Sequence, residues 1–171
     1  MLIPTLTTER LTLRAPVPAD LPVFTEFRMS ERSRTVGGPF TEDQAFHQFC
    51  GIFGHWNVRG YGRWIVADGE TDAPLGIVGP FHPPNWPEPE LAWTVFAAGE
   101  GRGVAFEAAQ AARRHIYGTL GWPTLISCVA PDNARSLALA RRMGCTADGQ
   151  FEHPDHGILH IWRHPAPEAL Q

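Results

Sequence analysis

A cluster of glycines is the feature of this sequence best suited to chemistry. Gly99, Gly101 and Gly103 precede an alanine-rich segment, 104–119, whose small apolar residues recur at helical spacing. A helix that begins at such a turn presents free backbone N–H groups at the positive end of its dipole, where they bind anions such as phosphate. Glycine-rich turns also occur as plain loops before helices. A dinucleotide motif of the type G-x-G-x-x-G/A is disfavoured, because Phe106 occupies the position of the last small residue.

Other reactive side chains exclude or disfavour several kinds of chemistry. All fourteen basic residues are arginines, so the sequence excludes pyridoxal-phosphate Schiff bases and the lysine-dependent P-loop. Cys128 has no evident histidine base and fits a small buried strand residue better than a nucleophile. Four histidines lie near the C-terminus: His153, His156, His160 and His164. Residues four apart in a strand are separated by about 13 Å, which is too far for one metal ion, so we expect no metal site.

Length and composition predict a single globular domain, and the proline-containing residues 164–171 are expected to form a C-terminal tail. The chain has 171 residues and a net charge of -4, which disfavours nucleic acid as a partner. Its three cysteines are odd in number and widely spaced, as is typical of a reducing compartment. No apolar run approaches a membrane span, and the first residues do not resemble a signal peptide. We therefore expect a cytoplasmic protein that does not enter membranes.

Alternation and helical periodicity predict the elements that position these residues. Strands are expected at 8–14, where polar and apolar residues alternate, and at the strand-like runs 63–67, 74–81, 90–95, 124–130, 146–151 and 157–162. Helices are expected from Pro18, from a capping box that begins at Thr41, over 104–119 and over 134–143. Short turns join the strands from 63 to 95, which indicates an antiparallel meander in a mixed α/β fold.

Several motifs in this order resemble the GNAT superfamily of acyl-CoA-dependent N-acyltransferases. They are GRGVAFEA at 101–108, the strand 90–95 before it, and PDNARS at 131–136 followed by Gly144 and Cys145. The runs TERLTLR at 8–14 and GHWNVRGYGRW at 54–64 look like the RimJ/RimL-type branch. The resemblance covers residues 5 to 163. It implies a central, mostly antiparallel sheet of six to seven strands flanked by about four helices, and direct acetyl transfer from acetyl-CoA to a primary amine.

The resemblance also implies which residues hold the coenzyme. The pyrophosphate would lie on the turn at Gly101 and on the backbone N–H groups of Arg102, Gly103, Val104 and Ala105. The pantetheine arm would pair with the edge of the strand near Val95 and Phe96, and one of these two N–H groups would donate to the oxyanion. Asn133 would hold the pantetheine arm or cap the helix that follows it. The oligomeric state stays open, with a homodimer as one option.

Glu90 and Ser136 are the residues expected to move protons. Alternation places Glu90, at the start of the strand that resembles the acetyl-binding one, where it would accept the proton of the amine; its alternative is a solvated charge. Glu88, Glu100 and Glu107 are weaker rivals for this role. By analogy with relatives that use a serine, Ser136 would act as the acid, or only hydrogen-bond the sulfur. Its alternative is an ordinary polar residue in the first turn of a helix.

The acceptor is not readable from the sequence. The loop 81–87 is stiffened by prolines beside Glu90, so we expect it to shape acceptor specificity. Tyr61, Trp64, Trp86 and Trp93 either line the acceptor pocket or belong to the core. Three positions depart from the family pattern: Ala98 replaces a usual glutamine or arginine, Ala140 a frequent tyrosine acid, and Cys145 a usual aromatic residue. Ala98 and Ala140 leave a non-catalytic acyl-CoA-binding protein as the alternative to an enzyme.

Overall fold

The part of the chain that the structure describes, residues 2–170, contains one mixed sheet of eight strands. In this computed structural model the strand order is β1-β2-β3-β4-β5-β6-β8-β7. The strands are β1 (Leu6–Thr7), β2 (Leu11–Arg14), β3 (Trp64–Asp68), β4 (Pro74–Phe81), β5 (Glu90–Val95), β6 (Ile126–Val129), β7 (Thr146–His153) and β8 (Gly157–Arg163). Every pair of neighbours is antiparallel except β5 and β6.

The predicted fold class is confirmed, and the predicted number of strands is too small by one. The additional strand is β1, whose residues Leu6 and Thr7 pair with Leu13 and Thr12 of β2. A run of two residues is too short to show a period of two, so the sequence pattern gave no signal for it. The meander predicted from short turns is the antiparallel series β2 to β5.

Four α-helices surround the sheet within residues 2–170, as expected: α1 (Leu21–Met29), α2 (Glu42–Arg59), α3 (Val104–Gly118) and α4 (Ala134–Arg142). The capping box of α2 is present, since the Gln44 N–H donates to Thr41 Oγ1 at 3.2 Å and the Thr41 N–H to Gln44 Oε1 at 2.9 Å. Residues Pro18–Asp20 form a 3₁₀ turn before α1, and a second one, Glu31–Val36, was not predicted. None of these helices is long and apolar enough to cross a bilayer.

Aromatic rings from two helices and from the residue after β5 pack together in the core beside the end of β5. Phe24 of α1 lies 5.4 Å from Phe49 of α2 and 6.5 Å from Phe96, measured between ring centroids. Phe96 is buried and directly follows β5. On α3, buried alanines at positions 108, 109 and 112 allow the helix to pack closely on β4 and β5. The end of β5 and the start of α3 are thus fixed from both sides.

Candidate active site

Two adjoining cavities open along β5. The first is a groove of about 730 Å³ between the β5 edge, the glycine turn before α3, and α4. The second, of about 850 Å³, is lined by β5, β6 and the loop that contains Trp86. Four residues of β5 and of the start of α4 line both spaces: Trp93, Thr94, Asn133 and Ser136. A molecule that fills the groove therefore meets a molecule that fills the second cavity at these residues.

The glycine turn before α3 presents unobstructed backbone to one end of the groove. Gly101 and Gly103 have φ of +73° and +75°, a left-handed conformation that strains any residue with a side chain. An added Cβ at Gly101 would meet nothing within 4 Å, and Gly103 precedes α3 without a side-chain cap. The first N–H groups of α3 have no acceptor within the helix. Gly101, Gly103, Val104 and Ala105 all line the groove, so the turn fits a bound diphosphate.

Arg102 is placed differently from its neighbours. Its guanidinium donates to Asp68 Oδ2 at 3.0 Å and to the Ala98 carbonyl at 3.2 Å, and its side chain is not part of the groove wall. The same ion pair lowers the pKa of Asp68. Only the backbone of Arg102 therefore takes part in the turn.

The edge of β5 exposes alternate backbone groups to the groove. The Phe96 N–H donates to the Leu75 carbonyl of β4 at 2.8 Å, so it is not free to donate to an oxyanion. This corrects the expectation for Phe96, whose buried ring belongs to the core. Because hydrogen bonds alternate along an antiparallel strand, the Val95 N–H points away from β4. Beyond the single β5–β6 pair, Glu90 with Ile126, no strand formed by residues 2–170 covers that side.

Glu90 is a buried carboxyl group at the start of β5. Only 5% of its surface is exposed, and it lines the second cavity. The Trp86 Nε1–H donates to its Oε1 and the Cys128 backbone N–H to its Oε2, both at 2.8 Å. Burial raises the pKa of Glu90 to about 7, against the opposing effect of these hydrogen bonds and of Arg63. A carboxyl group with this pKa exchanges protons near neutral pH, as a general base must.

Ser136 lies at the junction of the two cavities. Its Oγ accepts a hydrogen bond from Trp93 Nε1 at 3.1 Å, which leaves the hydroxyl proton free to be donated. Asn133 Oδ1 accepts from the Ser136 backbone N–H at 3.1 Å, so Asn133 caps α4. The cap fixes the first turn of α4, and with it the position of Ser136 beside β5.

Comparison with known proteins decides the family. The sequence model of the GNAT acetyltransferase domain matches residues 10–146. This chain belongs to the GNAT acetyltransferase family. The enzymes of this family use acetyl-CoA, and the groove with its open glycine turn fits that coenzyme.

Solved structures of GNAT proteins share the fold. An acetyltransferase from Agrobacterium tumefaciens is 41% identical, with a TM-score of 0.88 and 96% of each chain covered. The RimL ribosomal L7/L12 α-N-protein acetyltransferase in complex with coenzyme A is 15% identical, with a TM-score of 0.76 over 94% of this chain and 97% of that one. An acetyltransferase from Salmonella typhimurium that modifies the N-terminal serine of L7/L12 is 16% identical, with a TM-score of 0.75 over 94% and 98%. These distant neighbours are similar in fold.

The other glutamates near the GNAT groove are held in ion pairs. Arg163 lowers the pKa of Glu88, and Arg32 and Arg135 lower that of Glu100. Glu107 on α3 accepts from Thr8 Oγ1 at 2.6 Å and from Arg10, and these hydrogen bonds lower its pKa. Carboxylates with lowered pKa values are poor bases. Glu90, in contrast to these three glutamates, has a raised pKa.

The surroundings of Cys128 and of His164 disfavour a catalytic role for either residue. Burial and the neighbouring Glu90 raise the pKa of the Cys128 thiol far above its usual range, which disfavours a thiolate nucleophile. His164 is buried between Ser127 and Arg113 and has its pKa lowered to about 3 by burial. Among residues 2–170 no group of three or more His, Cys, Asp or Glu side chains is placed to hold a metal ion.

The aromatic candidates divide between the site and the core. Trp86 and Trp93 line the second cavity, whereas Trp64 is fully buried and donates to the Pro4 carbonyl at 2.7 Å. Three arginines line this cavity, and the sequence did not point to the two that lack a carboxylate partner, Arg28 and Arg63. They come from α1 and from the residue before β3, and no spacing in the sequence connects them with Glu90.

Proposed function

We propose that this protein is an N-acetyltransferase that transfers the acetyl group of acetyl-CoA directly to a primary amine. The observation that carries the proposal is the position of Glu90. It is a buried carboxyl group with a raised pKa, and it faces a cavity that joins the coenzyme groove at Trp93, Thr94 and Ser136. An amine in this cavity would lie between a base and the acyl donor.

Acetyl-CoA supplies an activated thioester, and the residues of this chain supply three functions around it. Glu90 accepts the proton that the amine loses as its nitrogen forms the new bond. The outward Val95 N–H donates to the carbonyl oxygen on which negative charge develops. The Ser136 hydroxyl donates a hydrogen bond to the departing sulfur, since its oxygen is already held by Trp93. In this proposal Ser136 assists the thiolate, and the final proton comes from solvent.

The backbone of the glycine turn would hold the diphosphate of the coenzyme. The donors are the N–H groups of residues 102–105, and the absence of a Cβ at Gly101 and Gly103 lets the phosphates approach. Asn133 contributes by capping α4 and so fixing the wall of the groove. We propose that residues 5–163 work as one such domain. The three cysteines are free, which supports a cytoplasmic location.

An assay of acetyl transfer tests this function. The protein is incubated with acetyl-CoA and a panel of primary amines, released thiol is titrated, and the products are identified by mass spectrometry. We expect thiol release that depends on the amine and acetylation of its nitrogen. Binding of acetyl-CoA without turnover on any amine would instead support the alternative, a non-catalytic acyl-CoA-binding protein. Ala140, which is fully buried and carries no hydroxyl, is the feature consistent with that outcome.

A further inference from the structure

Two arginines line the acceptor cavity without a negative partner. Arg28 and Arg63 both contribute to its wall. Within residues 2–170 the ion pairs involve other arginines, and no carboxylate oxygen lies within 4 Å of either guanidinium. Only 5% of Arg28 is exposed, and its buried Nε has no hydrogen-bond partner. A buried charge without a partner is costly, so such a group is a candidate for binding an anion.

Aromatic rings hold both guanidinium groups in place. The Arg28 Cζ lies 5.1 Å from the ring centroid of Phe24 and 5.5 Å from that of Phe40. The Arg63 Cζ lies 4.1 Å from the centroid of Phe81. Stacking on a ring orients a guanidinium but leaves its N–H donors free for a planar anion. Both side chains are therefore presented to the cavity in fixed orientations.

The acidic residues of the cavity do not neutralise these charges. They are Glu90, Asp132 and Asp155. Glu90 is held by Trp86 and Cys128 instead, and its pKa of about 7 leaves it partly protonated at neutral pH. Burial lowers the pKa of Arg28 to about 9, and the charge of Arg63 adds to this effect. The charge of Arg63 also acts on Glu90, but a partly protonated Glu90 compensates the two positive groups only in part.

We propose that Arg28 and Arg63 bind a carboxylate of the acceptor, so that the substrate is a small amine that also carries a carboxylate, such as an amino acid. This inference rests on the proposed function, because it names the acceptor class for that site. Arg–carboxylate pairs are charge-assisted and geometrically specific. A protein N-terminus lacks the α-carboxylate, since that group forms the next peptide bond.

The spacing of the groups supports a small acceptor. Phe81, which carries the Arg63 guanidinium, lies directly opposite Glu90 in the β4–β5 register. The charge of Arg63 also acts on Glu90, as expected for neighbouring groups. The sites for the carboxylate and the amine would therefore adjoin each other, as a small acceptor requires. A cavity of about 850 Å³ is in the range of small-molecule sites and exceeds the needs of an amino acid, which leaves room for its side chain.

Kinetics with matched acceptors test the proposal. Amino acids are compared with their carboxamides and with the corresponding decarboxylated amines, using the wild-type protein and the variants Arg28→Met and Arg63→Gln. We expect the amino acids to be preferred, and each variant to raise their KM about 10- to 100-fold while changing the KM for acetyl-CoA less than about twofold. The KM for the carboxamides should change little. Arg114→Gln removes the same charge from an exposed position of α3 and serves as the control.

Binding measurements separate this inference from the proposed function. Amino acids are titrated by calorimetry into the protein saturated with CoA. Binding that is lost in Arg63→Gln but kept in Arg114→Gln supports the carboxylate site even if no acetyl transfer occurs. Acetyl transfer that prefers decarboxylated amines or peptides with uncharged first residues would overturn the inference and leave the proposed function intact. Equal loss of carboxylate and carboxamide acceptors in the variants would also overturn it.

Discussion

The two ends of the site are built from different parts of the chain. At the proposed coenzyme end, the donors would be consecutive backbone N–H groups around Gly101 and Gly103, where α3 begins. At the acceptor end, side chains from separate segments converge, among them Arg28, Trp86 and Glu90. A site made of consecutive backbone groups depends on local conformation. A site made of distant side chains depends on the packing of the whole sheet.

This difference predicts how each end responds to substitution. At the acceptor end, the pKa of Glu90 is set by burial and by contacts with Trp86 and Cys128, so a change in one side chain alters the chemistry. At the coenzyme end, the side chain of Arg102 can change without altering the backbone donors, whereas a side chain at Gly101 or Gly103 strains the turn that presents them.

Replacement of Glu90 by glutamine should have the largest effect. We expect Glu90→Gln to lower kcat by about 100- to 1000-fold, because general-base catalysis contributes this much, and to leave the Kd of CoA nearly unchanged. A base is active only when deprotonated. Since burial raises the pKa of Glu90 to about 7, kcat/KM of the wild type should rise with pH up to about 7 through this group and then level off. The variant should lack this limb.

A neighbouring glutamate provides the control for Glu90. Glu88→Gln removes a carboxylate two residues away that is paired with Arg163 and does not line the cavity. Its kcat should stay within about threefold of the wild-type value. A similar loss of rate in both variants, or an unchanged pH profile in Glu90→Gln, would show that Glu90 is not the base.

Substitution of Gly103 should have the next largest effect, and on the other end of the site. Gly103→Ala places a side chain on a residue with φ of +75°, at a strain of roughly 1–2 kcal/mol, and adds a methyl group next to the phosphate donors. We expect the Kd of CoA to rise about tenfold or more by calorimetry. Gly118→Ala, at the other end of α3, is the control, because an added Cβ there meets nothing within 4 Å. Unchanged CoA binding in Gly103→Ala would argue against the diphosphate cradle.

Ser136→Ala should have a moderate effect. A single neutral hydrogen bond to the leaving sulfur is worth about 1 kcal/mol, so we expect kcat to fall about fivefold with the KM values unchanged. The cap of α4 should persist, since Asn133 accepts from the backbone N–H of position 136. Ser136→Thr retains the hydroxyl and should recover most of the rate. A loss of 1000-fold in single-turnover experiments would instead identify Ser136 as an essential acid.

Arg102→Gln should have the smallest effect. Its guanidinium is bonded to Asp68 and to the Ala98 carbonyl, so the Kd of CoA should change less than about twofold. Loss of this ion pair, in which the Arg102 side chain is half exposed, should change the unfolding temperature only slightly. Calorimetry and thermal unfolding measure the two quantities. A tenfold loss of CoA affinity that decreases with added salt would show that the side chain itself contacts the phosphates.

Local patterns predicted much of the fold because local physics governs those elements. The strand at 90–95, the capping box at Thr41 and the glycine turn before α3 each depend on residues close in the chain, and the structure contains all three. Strand β1 escaped prediction because two residues carry no periodicity. For Phe96 the sequence could not show that its N–H donates to Leu75, since that bond depends on the register of β4 and β5.

Local sequence is enough to locate the start of the groove, because a left-handed glycine turn followed by a helix orients its own N–H groups. The sequence also contains the carboxylate at position 90 and the hydroxyl at 136. The chemistry open to these two side chains depends on the fold. Burial and the bonds from Trp86 and Cys128 set the pKa of Glu90, and Arg28 and Arg63 meet its cavity from elements far apart in the chain. Electrostatic environment depends on neighbours in space, and the fold alone brings those neighbours together.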